Sequence, residues 1–167
     1  MSADVEHLVA EAADQTGLED PALQRYVMRL GMDMFLRTAM SFSELFDGNL
    51  MTGLIFLAIS QSSVQHLNHP VRLNPAAREG VFPDKLRRPV SVLGIAQFLG
   101  LPYETTRRYV NQLLESGFAV KVDGKGVMVP EAVMRRPEID RIVAANFAST
   151  RTFLKGLHRG AGELLQP

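Results

Sequence analysis

Hydrophobic residues in the first half of the chain recur at spacings of three and four, which is the period of an amphipathic α-helix. The first such stretch follows Asp20-Pro21, a pair suited to a helix start because Asp caps the first amides and Pro fits the first helical position. It predicts a helix to about Phe46. After the break Asp47-Gly48-Asn49, residues 50–67 predict a second helix that is apolar on more than one side and therefore buried.

Two segments lack this periodicity. Residues 1–20 are polar and acidic and predict a flexible N-terminus. Residues 68–89 are punctuated by prolines and predict a long surface connection. The basic residues near its end are either a solvated linker or a set of phosphate contacts, and both interpretations stay open; they are Lys85, Arg87 and Arg88.

Residues 90–129 carry the signals of a short helix, a tight turn, a longer helix and a β-hairpin. The predicted elements are a helix over Val92–Leu99, the turn Gly100-Leu101-Pro102, a helix over Tyr103–Ser116, and strands over Phe118–Val122 and Val127–Val129. This order is typical of a winged helix-turn-helix. Beyond it, the pattern predicts one or two further helices with an interruption near Pro137.

The predicted fold class is therefore mainly α: a winged helix-turn-helix, with a three-helix core and a small β-hairpin, extended by N- and C-terminal helices. The predicted divisions are a flexible acidic N-terminus (1–20), a helical core or dimerisation region (21–67), a Pro-rich connection (68–89), the winged helix-turn-helix (90–129) and the C-terminal helices (130–167).

The helix over Tyr103–Ser116 has an apolar stripe that includes Val110 and Leu113, and at about 100° per residue the opposite face is polar. Arg can bind guanine, Asn can bind adenine and Glu can accept a hydrogen bond from cytosine, so this face suits a major groove. For Arg107, Arg108 and Asn111 the alternative is a solvated helix face. For Glu104 it is a favourable interaction with the helix dipole, and for Lys125 an ordinary turn residue on a polar tip. The candidate DNA contacts are Tyr103, Glu104, Thr105, Arg107, Arg108, Asn111 and Gln112 on the helix and Lys125 at the hairpin tip.

The stretch IAQFLGLPYETTRRYVNQLLESGFAV resembles the DNA-binding units of the isocitrate-lyase-regulator type and the cyclic-AMP-receptor type. In the second type, a helix that begins Arg-Glu-Thr-Val-x-Arg reads the operator, and Tyr103–Arg108 is the matching stretch here. The resemblance implies that Glu104 and Arg108 hold base-reading positions and that Thr105 contacts phosphate. Tyr103 departs from that pattern, which has Arg at this place. The resemblance covers about 40 of the 167 residues.

The net charge of the chain is zero, but the charges are unevenly distributed. Residues 1–50 hold nine acidic residues and three arginines, a net charge of −6. Residues 84–129 hold seven basic and four acidic residues, a net charge of +3. This distribution disfavours a purely electrostatic DNA binder and permits one that reads bases.

These observations predict a sequence-specific transcriptional regulator that binds double-stranded DNA as a homodimer through its long helices. One alternative is a winged helix used as a protein-interaction module, which the near-neutral charge and the acidic Glu104 and Glu115 favour. The other is a regulator that responds to a small molecule in an apolar pocket of the N-terminal helices, where five methionines fall between residues 28 and 51.

Other classes of function lack their signatures. The absence of Cys excludes disulfides and thiolate metal sites. His66 and His69 have no third ligand nearby, so we expect no metal and no cofactor. No nucleophile elbow or Gly-rich nucleotide loop is present, so we do not expect an enzyme. The longest apolar stretch is too short to cross a membrane and the N-terminus does not resemble a signal peptide, so we expect a cytoplasmic protein.

Overall fold

The structure, a computed structural model, describes residues 20–67 and 80–162. Within these residues it is mainly helical with one small antiparallel sheet, as the sequence predicts. The helices are α1 Pro21–Glu44, α2 Leu50–Val64, α3 Val92–Leu99, α4 Tyr103–Glu115, α5 Glu131–Met134 and α6 Pro137–Gly160, and the strands are β1 Val120–Val122 and β2 Gly126–Met128. Short 3₁₀ turns lie at Gln65–Leu67 and Asp84–Leu86. The predictions for residues 1–19, 68–79 and 163–167 lie outside the described residues.

The ends of α3 follow from local chemistry. The hydroxyl of Ser91 accepts a hydrogen bond from the Gly94 amide at 3.0 Å and so caps the first turn. Gly100 ends the helix with φ = 64° and ψ = 29°, a left-handed conformation that glycine adopts without steric cost. Pro102 then precedes the first residue of α4. These signals are all local, which is why the sequence predicts this part of the chain so closely.

Two predicted boundaries differ from the structure by two residues. Helix α1 ends at Glu44 rather than Phe46, because the Ser43 carbonyl accepts from the amides of both Phe46 and Gly48 and so terminates the helix. Strand β1 begins at Val120 rather than Phe118. The amides of Phe118 and Ala119 both donate to the Leu113 carbonyl, so these residues still belong to the turn that leaves α4.

The described residues form two compact units, one of residues 20–36 with 148–162 and one of residues 37–67 with 80–147. In the first unit, the N-terminal part of α1 packs against the C-terminal part of α6. Tyr26 donates its hydroxyl hydrogen to the Gly156 carbonyl at 3.0 Å. A Cβ added at Gly156 would lie 2.9 Å from the methyl groups of Leu30, so the two helices approach closely here and a larger residue would require the Leu30 side chain to shift.

The core of the second unit is built around α2. This helix is buried nearly all round, as predicted, and it packs against α3 and α4. The phenyl rings of Phe46 and Phe118 meet edge to face with centroids 4.9 Å apart, and both rings also contact Phe56 of α2. The fully buried core residues include Ile55, Phe56 and Ile59 of α2, Ile95 of α3, and Val110 and Leu113 of α4.

The hairpin is joined to the chain segment that precedes α3. Strands β1 and β2 pair in antiparallel register, with Val120 opposite Met128. Val90 exchanges two backbone hydrogen bonds with Val127, at 2.8 and 2.9 Å. A Cβ at Gly126 would overlap the Val90 carbonyl, so glycine permits this contact. The hairpin is therefore fixed to the helical core of the same unit.

Arg87 is buried in the segment that leads to α3, with only 7% of its surface exposed. Its Nε–H donates to the Phe82 carbonyl at 3.0 Å, and the carboxylate of Asp84 lies 3.8 Å from Nε. Burial lowers the pKa of the Arg87 guanidinium, and the carboxylates of Asp84 and Glu131 oppose this shift. Arg87 is therefore not available as a phosphate contact, whereas the side chain of Arg88 is exposed.

Candidate functional site

Helix α4 presents one buried and one exposed face. Thr106, Val110 and Leu113 are buried on the inner face, as the predicted stripe required. The Thr106 hydroxyl donates to the Pro102 carbonyl at 3.2 Å, which satisfies the only polar group on that face of the first turn. The inner face anchors α4 to the core, so the outer face is held in a fixed orientation.

The outer face of α4 carries an open, solvent-exposed depression of about 600 Å³, called the groove below, whose lining side chains all belong to this one helix. Six of the eight predicted contact residues line it, together with Glu115, which the prediction placed on the same face. Tyr103 is exposed at the start of the helix and Lys125 is exposed at the hairpin tip, but neither lines the groove. The lining residues are Glu104, Thr105, Arg107, Arg108, Asn111, Gln112 and Glu115.

Glu104 and Arg107 form an ion pair within this groove. One carboxylate oxygen, Oε2 of Glu104, accepts from Nε of Arg107 at 2.9 Å and from Nη2 at 2.7 Å. Both side chains are more than half exposed, so the pair contributes at most about 0.5 kcal/mol to folding stability. Its effect is on geometry, because it holds the guanidinium of Arg107 beside the start of the helix.

Arg108 takes a different position from Arg107. Its guanidinium carbon lies over the ring of Tyr109, 5.0 Å from the ring centroid. An exposed cation–π contact of this kind is worth about 0.5–1 kcal/mol. A ligand that binds Arg108 must therefore compete with, or make use of, its stacked arrangement.

Gln112 is tied to the core by a contact that the sequence did not predict. The buried Thr52 of α2 donates its hydroxyl hydrogen to Oε1 of Gln112 at 3.5 Å, a long hydrogen bond. The NH₂ group of Gln112 and the second lone pair of its Oε1 are not used by this bond. The two residues are 60 positions apart, and no local pattern links them.

The groove face carries equal numbers of opposite charges. The charges of Glu104 and Glu115 balance those of Arg107 and Arg108. The next basic residues along the chain are Lys121 and Lys125 on the hairpin. A face of this kind does not attract phosphate by charge alone. Its chemistry is instead a mixture of fixed donors and acceptors, which suits recognition of hydrogen-bonding edges.

The alternative of an apolar effector pocket rests on methionines of the N-terminal helices. Met28, Met32 and Met40 are exposed on α1. A second open depression, of about 580 Å³, lies in the larger unit and is lined partly by the charged Glu44 and Arg141. In the part of the chain that the structure describes, no three His, Cys, Asp or Glu side chains come together as metal ligands, and no helix is long and apolar enough to cross a membrane. His69 lies outside the described residues.

Comparison of the chain with protein families, with curated proteins and with solved structures finds no match to any of them.

Proposed function

We propose that residues 90–129 are a winged helix-turn-helix and that the protein is a sequence-specific transcriptional regulator, a binding protein and not an enzyme. In this proposal α4 enters the major groove of double-stranded DNA and the hairpin contacts the neighbouring backbone. The observation that carries it is the groove on α4, in which six predicted contact residues lie together on a helix anchored to the core.

The arrangement of the larger unit supports this proposal. Helices α2, α3 and α4 share one core, and the hairpin follows α4 directly. A helix-turn-helix places its second helix in the major groove while the first crosses the backbone. Here α3 and α4 are joined by the three residues Gly100-Leu101-Pro102, a turn of the required length.

Binding to a randomised pool of DNA duplexes, selected and sequenced at two salt concentrations, tests the proposal. We expect an enriched sequence. Arg108→Ala should relax the preference at one base and cost about 1–3 kcal/mol of binding free energy. Lys125→Ala should weaken binding to all DNA sequences by a similar factor, and it should reduce the slope of log affinity against log salt concentration by about one unit. No binding at either salt concentration would overturn the proposal.

The second candidate function is a protein-interaction module. It is favoured by the neutral charge of the groove face and by Phe98, which is 68% exposed on α3. A binding protein of this class would show no salt-dependent affinity for DNA. The same selection experiment therefore separates the two functions.

We also propose that the protein is a homodimer. In the smaller unit, α1 has two apolar faces, and only one of them contacts α6 through Tyr26 and Leu30. The other face is a stripe with 55–59% of each side chain exposed, formed by Met28, Met32, Phe35 and Leu36. Four large apolar side chains that are more than half exposed on one helix face form the kind of patch that marks an interaction site, and a second copy of the chain would cover it.

A homodimer would complete the proposed function. Two copies related by a two-fold axis would set two α4 helices on the two halves of a pseudo-palindromic site. The groove on α4 has no net charge, so it gains little affinity for DNA from electrostatic attraction. Simultaneous binding of two linked half-sites would supply that affinity instead.

A further inference from the structure

The ion pair between Glu104 and Arg107 leaves a defined set of hydrogen-bonding groups on the outer face of α4. A guanidinium has five N–H donors, and Glu104 accepts from two of them, one on Nε and one on Nη2. No other hydrogen bond among the described residues uses the remaining donors on Nη1 and Nη2, or the second carboxylate oxygen Oε1. From Nη1 through Nη2 to Oε1, the pair therefore presents a donor, a donor and an acceptor.

One base pair has the complementary order of groups. In the major groove, a G·C pair presents guanine N7 and O6 as acceptors and then cytosine N4 as a donor. An A·T pair presents acceptor, donor and acceptor, followed by the thymine methyl group. On A·T, the second donor of Arg107 would face the adenine amino group and Glu104 would face thymine O4. Only G·C satisfies all three groups of the pair.

We propose, on the basis of the function proposed above, that Glu104 and Arg107 act as one unit that reads a single G·C pair in each half-site. Arg107 donates two hydrogen bonds to guanine, and Oε1 of Glu104 accepts one from cytosine. The order of the groups also fixes which strand carries the guanine. Because the ion pair already restricts the guanidinium, less conformational freedom is lost on binding than with an unrestrained arginine.

Arg107 thereby has a role that the sequence resemblance did not assign. The resemblance places base reading at Glu104 and Arg108, but Arg108 is stacked on Tyr109 and Arg107 holds the carboxylate of Glu104. Both members of the pair are exposed, so they can be replaced without disturbing the core.

Selection from a randomised duplex pool with the wild-type chain, Arg107→Lys and Glu104→Ala tests this inference. Lysine keeps the charge of Arg107 but lacks its planar fork. We expect one position of the wild-type motif to require G·C. Both substitutions should reduce that preference, by on the order of tenfold to a hundredfold. The reduction should be confined to that position, and Arg107→Lys should leave the salt dependence unchanged.

The pair formed by Glu131 of α5 and Arg135, the residue directly after this helix, provides a matched control. Its ion pair has the same chemistry, with an N–O distance of 2.9 Å, and Arg135→Lys should leave the selected sequence unchanged. Two outcomes would overturn this inference and leave the DNA-binding function standing. In the first, Arg107→Lys alters the base preference at no position of the wild-type motif. In the second, Arg107→Lys and Glu104→Ala alter the base preference at different positions. A folded wild-type protein that enriches no sequence would overturn both the inference and the DNA-binding function.

Discussion

At the scale of single residues, Arg87 is the most deeply buried of the charged side chains that the structure describes. Its buried stem fills space beside the core, and its Nε–H satisfies the carbonyl of Phe82. Arg87→Ala should lower the free energy of unfolding by about 1–3 kcal/mol, because it removes the buried stem and leaves that carbonyl without its donor. Urea denaturation followed by circular dichroism measures this change.

Arg88 is the matched control for this substitution, since it is the next residue in the chain and carries the same side chain in an exposed position. Its contact with the core is made by the backbone amide, which donates to the Ser63 carbonyl at 2.9 Å and is kept in Arg88→Ala. We expect a change within about 0.5 kcal/mol. Equal losses from the two substitutions would mean that the burial of Arg87 does not stabilise the fold.

The environment of Arg87 also shows where prediction from sequence stops. The sequence offers Lys85, Arg87 and Arg88 as three equivalent cations in a Pro-rich connection. The segment that carries them is also held by two contacts distant in sequence: the Arg88 amide donates to the Ser63 carbonyl, and the Asp84 carboxylate accepts from the Glu131 amide at the start of α5. Contacts between residues about 25 and 47 positions apart leave no periodic signal in the chain.

At the scale of elements, the turn between α3 and α4 depends on Gly100. A side chain at φ = 64° brings Cβ close to the following carbonyl, which costs about 1–2 kcal/mol. No neighbouring atom lies within 4 Å of a Cβ built there, so the expected loss from Gly100→Ala is backbone strain alone. Thermal denaturation should show the loss. Gly100→Asn should lose less stability than Gly100→Ala, because asparagine tolerates this conformation better than alanine. Equal stability of the wild type and both variants would contradict the importance of the left-handed conformation at this position.

The elements divide into those fixed locally and those fixed by packing. Ser91, Gly100 and Pro102 determine α3, the turn and the start of α4, so the sequence predicts them at the correct residues. The predicted face of α4 also follows from helical periodicity alone. The ion pair between Glu104 and Arg107 was accessible from their spacing of three residues, whereas the contact between Thr52 and Gln112 required the fold.

At the scale of the whole molecule, the net charge of zero limits how the proposed DNA binding can gain its affinity. The chain has 18 basic and 18 acidic residues, so no strong overall field draws it to DNA. Under the proposed function, affinity for DNA would come from matched hydrogen bonds in the major groove and from the linkage of two half-sites. The oligomeric state would then be part of the proposed function, because a single copy would have only one half-site to bind.

The outer stripe of α1 predicts that this oligomeric state depends on Phe35. Phe35→Glu places a charge on the stripe, and it should raise the dimer dissociation constant at least about 30-fold, as expected for loss of an interface hot spot of about 2 kcal/mol. Light scattering over a micromolar concentration series measures it. Phe98→Glu is the control, since Phe98 is even more exposed but lies outside the stripe, on α3. If Phe98→Glu dissociates the wild-type dimer and Phe35→Glu does not, the interface lies on α3 instead. A monomeric wild-type protein would contradict the homodimer altogether.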